Sequence, residues 1–165
     1  MRPVDSVRHL VWIDKDTGEV TSPHRSPKIR GVYDIYDDIY HIKEFIAHDK
    51  FTLKIVLLEV TETKYLDGWG KYRKNNATKV DRIPREILEE VTFENASDYV
   101  KLIPKSLREA GSFTTPEIAK LSGKRGMSLS GFLKVMKEIG NIMEDGKDGR
   151  VKRYKIVNTS GNITM

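Results

Sequence analysis

The chain has 165 residues and a net charge of +5, and its 38% apolar content is enough for one larger or two small globular cores. It contains no cysteine, which excludes a disulfide framework and a thiolate metal site and suits a reducing cytosol. Neither an apolar leader nor an apolar run of bilayer length is present, so a cytoplasmic protein with no membrane partner is expected.

The amino-terminal residues predict a hairpin, a loop and a helix. Residues 7–14 read as a strand between charged ends, and a turn at Gly18 leads to a short returning strand. Residues 22–31 hold two prolines and a glycine, which predicts an irregular loop. Over residues 32–47, apolar side chains recur at spacings of three and four, which predicts one helix of about four turns. They are Val32, Ile35, Ile39, Ile42 and Ile46.

The centre of the chain predicts a buried strand and then a polar loop. Residues 51–60 are largely aliphatic, as expected of a central strand that is buried on both faces. The loop over residues 65–78 follows, with aromatic side chains among cations. Residues 79–84 predict a further short strand, and residues 84–90 predict the start of a helix with Pro84 in its first turn.

The last third of the chain predicts helix, turn, helix and hairpin. Thr114 and Glu117 have capping-box spacing, Pro116 fits the first helical turn, and Gly123 ends this helix. The second helix carries an apolar stripe at helical spacing. Its members are Leu129, Phe132, Leu133, Met136 and Ile139. A glycine turn over residues 145–149 then joins two short strands.

This order, with a basic hairpin directly after the second helix, resembles the winged-helix variant of the helix-turn-helix in bacterial transcription regulators. The resemblance covers about the last third of the chain and implies a second helix in the major groove and a wing on the phosphate backbone. The implied recognition-helix residues are Met127, Ser128, Ser130, Lys134 and Lys137, and those of the wing are Lys147, Arg150, Lys152 and Arg153. The second helix does not start with Arg, Asn or Gln, which read bases bidentately, so weak sequence specificity is expected. A winged helix that only docks or dimerises proteins is the alternative.

Positive charge is concentrated in two segments. Residues 64–85 hold seven cations and two carboxylates, and residues 145–155 hold five cations and two carboxylates. Two such patches are typical of a polyanion-binding protein, and a pair of solvated loops is the alternative. In the first segment we predict that Trp69 and Tyr72 stack on unpaired bases, unless Trp69 covers the sheet edge. The cations expected to follow the nucleic-acid backbone there are Lys71, Arg73, Lys74 and Lys79.

A catalytic alternative rests on Glu59, Glu62 and Lys64, at the end of the central strand. Glu62 and Lys64 superficially resemble the acid-x-lysine half of the PD-(D/E)XK nuclease motif, in which a carboxylate holds Mg²⁺ and a lysine stabilises developing charge. An extended strand places these two on one face and Glu59 on the other. Mg²⁺ is expected only under this nuclease alternative, and no cofactor otherwise.

The segments 13–28 and 67–82 also resemble bacterial proteins of unassigned function, in which an α/β portion precedes a winged helix. The predicted fold is therefore α+β, with a small mixed β-sheet domain containing one long helix over residues 1–94 and a winged-helix domain over residues 95–165. The predicted function is nucleic-acid binding or regulation, with DNA as the expected partner and catalysis not favoured. A Mg²⁺-dependent nuclease and a protein-docking adaptor are the alternatives, and a homodimer remains open.

Overall fold

A computed structural model describes residues 1–46, 48–66 and 77–157. These residues form a mixed α+β protein with two β-sheets. The chain divides into two compact units, one made of Met1–Gly31 and Ile55–Val91, the other of Val32–Lys54 and the chain from Thr92 onward. Within the described ranges, no helix combines the length and the apolar character needed to cross a membrane.

The first sheet contains β1 (Arg2–Asp14), β2 (His24–Arg25), β3 (Leu53–Leu66) and β4 (Ala77–Phe93), in the order β2-β1-β3-β4. Strand β1 runs antiparallel to β2 and parallel to β3. The aliphatic run predicted as a central strand is confirmed in β3, where Ile55, Val56, Leu57 and Val60 are buried.

The helix predicted to begin at Pro84 is wrong, because β4 continues through residues 84–90. The position of β4 beside β3 in the sheet outweighs the local helical pattern. A proline is tolerated there because β4 lies at the edge of the sheet, where one side of the strand needs no ladder hydrogen bonds.

The single long helix predicted over residues 32–47 is also wrong. The segment consists of a 3-10 turn (Val32–Ile35), helix α1 (Tyr36–Ile39), a second 3-10 turn (Tyr40–Ile42) and helix α2 (Lys43–Ile46). The apolar stripe does bury Ile35, Ile39 and Ile46. Its residues are all β-branched, which lowers helix propensity, so packing rather than propensity holds the segment in these short pieces.

In the rest of the second unit, short connections join a series of helices and strands. A 3-10 helix (Ala96–Leu102) precedes α3 (Lys105–Ala110), β5 (Ser112–Thr114), α4 (Thr115–Ser122), α5 (Gly126–Glu138), β6 (Ile142–Asp148) and β7 (Val151–Ile156). The three strands form an antiparallel sheet in the order β5-β7-β6.

The predicted start of α4 is confirmed. The backbone N–H of Thr114 donates to Glu117 Oε2 at 2.6 Å, and the Thr114 hydroxyl donates to the same oxygen at 2.7 Å. These hydrogen bonds lower the pKa of Glu117. The capping residues therefore fix where α4 begins, and Gly123, with φ of 70°, ends the helix before the turn into α5.

Helix α5 packs on two sides. Leu129, Phe132, Leu133 and Met136 are buried, as the stripe predicts. The Tyr36 ring stacks on Phe132 with centroids 3.8 Å apart and planes within 6°. A Cβ added to Gly131 would lie 3.4 Å from Tyr40 Cβ, so the glycine permits a close approach. The 32–46 segment therefore covers one side of α5.

Candidate nucleic-acid interface

The exposed side of α5 carries Met127, Ser130, Lys134 and Lys137, four of the five residues assigned to base recognition. The fifth, Ser128, is half-buried, and its buried Oγ has no hydrogen-bond partner among the described residues. The 32–46 segment lies beside this side of α5: Tyr36, Asp37 and Tyr40 line one cavity with Met127, Ser128, Ser130 and Lys134. Lys134 Nζ lies 5.4 Å from the centre of the Tyr40 ring. Of the five predicted recognition residues, one methionine, one serine and two lysines are therefore exposed, and the acidic Glu138 is exposed at the end of the same helix.

Acidic neighbours partly neutralise the cations of this surface. Lys137 Nζ lies 2.6 Å and Lys152 Nζ 3.1 Å from Glu144 Oε1. The hydrogen bond from Lys137, followed by that from Lys152, lowers the pKa of Glu144. Arg153 pairs with Asp148 at 3.2 Å. Exposed ion pairs of this kind contribute little because solvent screens both charges, so a phosphate can displace them.

A cleft beside the start of α5 presents arginines that such pairing does not satisfy. It has a volume of about 440 Å³ and is lined by Thr115, Pro116, Arg125, Gly126, Arg150 and Lys152, among others. Within the described ranges, Arg125 and Arg150 make no ion pair, and neither does Lys147 of the predicted wing. The predicted wing residue Arg150 is thereby brought next to Arg125, which sequence analysis missed. The sequence did contain a signal for Arg125, because it lies directly before the first residue of the second helix, α5. A helix amino terminus favours anions, so a cation at this position adds to a site for a bound anion.

The basic aromatic loop cannot be placed in the same way. Lys71, Arg73, Lys74, Trp69 and Tyr72 lie outside the described residues. The remaining member of that prediction, Lys79, is exposed on β4 and contacts Glu62 in the first unit. The stacking prediction for the loop therefore stays a prediction.

Glu62 is the centre of a second charged cluster, which is confined to the first unit. Its side chain is only 4% exposed and is surrounded by cations from three strands. Lys64 lies 3.2 Å, Arg82 3.2 Å, Lys79 3.4 Å and Arg8 3.7 Å from its carboxylate oxygens. Burial raises the pKa of Glu62, but the hydrogen bond from Lys64 and the charges of Lys79 and Lys64 outweigh burial and lower it. The carboxylate is therefore held in its charged form.

This cluster does not have the donor set that Mg²⁺ prefers. Glu62 and Lys64 do share a face, as predicted, but Glu59 lies on the other face and pairs with His9 at 2.7 Å. Asp5, the other carboxylate of the cluster, is held by Arg82 at 2.6 Å. Four cations against two carboxylates favour an anion over a divalent cation. In the part of the chain that the structure describes, no three acidic, histidine or cysteine side chains group to hold a metal.

Comparison with known proteins adds one match. A family model described as a domain of unknown function (DUF8091) matches residues 1–94, which contain the whole Glu62 cluster. No curated protein matches the chain. No solved structure matches it either.

Proposed function

The chain belongs to the DUF8091 family of domains of unknown function, and we propose that it binds nucleic acid, with DNA as the expected ligand, through its carboxyl-terminal module, which lies outside the matched residues 1–94. The order α3-β5-α4-α5-β6-β7 and the sheet order β5-β7-β6 support a winged-helix assignment for this module. Under this assignment α5 is the recognition helix, and the β6–β7 hairpin is the wing.

The observation that carries the proposal is the pair of arginines in the cleft beside α5. Arg125 and Arg150 line one concave surface next to the first turn of a 13-residue helix. Phosphate oxygens suit such a site, because the helix amino terminus favours negative charge and guanidinium groups donate forked hydrogen bonds. Lys152 lines the same cleft and adds a third cation.

Weak sequence specificity follows from the side chains that α5 exposes. Ser130, Lys134 and Lys137 lack the planar forked geometry with which arginine, asparagine and glutamine select bases. Lys137 is also engaged by Glu144, and Lys134 lies 3.9 Å from Glu138. Contacts to the phosphate backbone would therefore supply most of the affinity.

We expect the double variant Arg125→Ala/Arg150→Ala to bind duplex DNA about 10- to 100-fold more weakly near 0.1 M salt. The reason is that each substitution removes a charge-assisted hydrogen bond to a phosphate oxygen. The slope of log K against log salt should also fall in magnitude by about 1.8, the value for two lost phosphate contacts. Fluorescence anisotropy of a labelled duplex over a salt series measures both quantities.

Lys15→Ala/Lys105→Ala is the matched control, because it removes the same number of charges from two exposed positions. Its affinity should stay close to that of the unmodified chain. Equal losses in the two double variants would mean that only net charge matters, and would remove the cleft from the proposal. Absence of DNA binding by the unmodified chain would leave the docking adaptor as the better description.

The nuclease alternative remains a separate prediction with one observation in its favour, the 3.2 Å approach of Lys64 to Glu62. Incubation of supercoiled plasmid with Mg²⁺ tests it. Nicking that the Lys64→Ala variant loses would support a nuclease. The homodimer is likewise a proposal, which sedimentation analysis of the full chain decides.

A further inference from the structure

The cluster around Glu62 has more hydrogen-bond donors than acceptors. Arg8, Lys64, Lys79 and Arg82 supply four positive charges, whereas Glu62 and Asp5 supply two negative ones. In addition, Arg8 Nε is buried and has no hydrogen-bond partner among the described residues. A buried donor without an acceptor is costly, and an excess of positive charge in a half-buried place is costly for the same reason. An anionic group bound at the cluster would relieve both.

Aromatic rings lie on the same face of the sheet. Trp12 on β1 is the register partner of Lys64 on β3, as Leu10 is of Glu62, and register partners on parallel strands point to the same face. Lys64 Nζ lies 5.1 Å from the centre of the Trp12 ring and 3.2 Å from Glu62 Oε1. It thus connects the charged cluster to the aromatic side.

His24 extends this aromatic surface. Its ring lies parallel to that of Trp12, within 8°, with centroids 6.4 Å apart. His24 is exposed and Trp12 is half-buried. Flat aromatic surfaces beside cations are what proteins use to hold an unpaired base next to its phosphate.

We propose that this face of the first sheet binds a nucleotide, with its phosphate at the Arg8, Lys64, Lys79 and Arg82 cluster and its base against Trp12 and His24. The arginines favour phosphate because their forked donors match its oxygens. The site lies entirely in the first unit and uses none of the residues of the cleft beside α5. It does include Lys79, which the sequence analysis placed among the cations that follow a nucleic-acid backbone. Its ligand is either a free nucleotide or one unit of a single strand, and the two sources share this chemistry.

Tryptophan fluorescence tests the site directly. The chain has two tryptophans, so Trp69→Phe leaves Trp12 as the sole reporter and keeps an aromatic ring at position 69, where stacking on unpaired bases is predicted. Titrated with a ten-residue oligothymidylate, thymidine 5′-monophosphate, thymidine and inorganic phosphate, this variant should lose emission with the first two. Tighter binding of the oligonucleotide than of the monophosphate supports a single strand as the source. Equal binding of the two overturns the strand and leaves the free nucleotide.

Charge variants decide whether the cluster holds the phosphate. In the Trp69→Phe background, Lys64→Gln should weaken binding about tenfold, as expected for one charge-assisted hydrogen bond. Lys15→Gln, which removes the same charge from the exposed turn after β1, should change binding less than about twofold. Lys79→Gln, at a side chain that is 44% exposed, repeats the test if Lys64→Gln does not fold.

Three results would overturn the proposal: no quenching by either phosphorylated ligand, quenching by thymidine as strong as by its monophosphate, or equal losses in Lys64→Gln and Lys15→Gln. The outcome is independent of duplex binding. Arg125→Ala/Arg150→Ala, made in the same background, should keep the Trp12 signal even though it loses affinity for duplex DNA.

Discussion

Replacing Glu62 with glutamine is expected to lower the free energy of unfolding by about 3 kcal/mol at pH 7, the lower end of the range for breaking a buried ion pair. The substitution keeps the shape of the side chain but leaves four cations with only Asp5 as a counter-charge. The lower end applies because the cations are 19–44% exposed and retain part of their hydration. Urea unfolding followed by circular dichroism measures the difference.

Glu59→Gln is the matched control on the same strand. Among the residues that the structure describes, Glu59 pairs only with His9, at 2.7 Å, and both side chains are 24% exposed. Its replacement should cost less than about 1 kcal/mol. If Glu62→Gln costs no more than Glu59→Gln, the cluster does not stabilise the first sheet.

The effect of Glu62 should depend on pH in a definite direction. Its pKa in the folded protein lies below the ordinary value of 4.5, so the folded state binds the proton less readily than the unfolded state. The stabilisation is therefore complete above the unfolded pKa and is lost as pH falls through the folded pKa. The free energies of unfolding of the unmodified chain and of Glu62→Gln should converge in acid.

Removing the side chain of Tyr36 is expected to cost about 3–5 kcal/mol, the usual range for a fully buried aromatic residue. Tyr36→Ala loses the stack on Phe132, with its 3.8 Å centroid distance. It also leaves the Leu102 carbonyl without the hydroxyl that donates to it at 2.6 Å. Because Tyr36 anchors the 32–46 segment to α5, this variant should also loosen the segment, measured as faster amide hydrogen exchange over residues 32–46.

Tyr36→Phe separates the two contributions of Tyr36. It keeps the ring and removes only the hydroxyl, so it should cost about 1–3 kcal/mol, the penalty for an unsatisfied buried acceptor. Tyr33→Phe is the control, since Tyr33 is half-buried and touches Tyr36 edge to face. It should change stability by less than about 0.5 kcal/mol. A Tyr36→Ala effect as small as that of Tyr33→Phe would contradict the proposed anchoring.

Local patterns in the sequence were sufficient to predict several helices and strands. The Thr114–Glu117 pair predicts the start of α4 because a capping box depends on residues three apart. The stripe of α5 and the aliphatic run of β3 likewise depend on neighbours in sequence. In the stripe and in the aliphatic run the pattern repeats over many residues, and burial in the structure follows that pattern.

The two wrong helices show where local patterns fail. Residues 32–46 keep their helical spacing, but the backbone alternates between 3-10 and α geometry where it packs on α5. Residues 84–90 join β4, whose placement beside β3 is a long-range interaction. In both cases the deciding partner lies far away in the chain.

The candidate sites also depend on contacts between residues that are far apart in the chain, which local sequence patterns do not predict. Glu62 is surrounded by side chains from β1, β3 and β4, so no spacing in the sequence identifies the cluster. Gly131 did leave a local signal, because a glycine inside a helix often marks a close approach of another chain segment. Tyr40 is that neighbour, and it determines which side of α5 remains exposed.

Strand β4 has a consequence for the behaviour of the protein at high concentration. Residues 78–90 are all exposed, and they include Val80, Ile83, Ile87 and Leu88 at the end of the sheet order. An edge strand of this length and apolar content is expected to pair with the same strand of further molecules and so to promote fibril formation. Pro84 interrupts the backbone donors midway along it, so a chain carrying another residue at that position should be the more prone to precipitate.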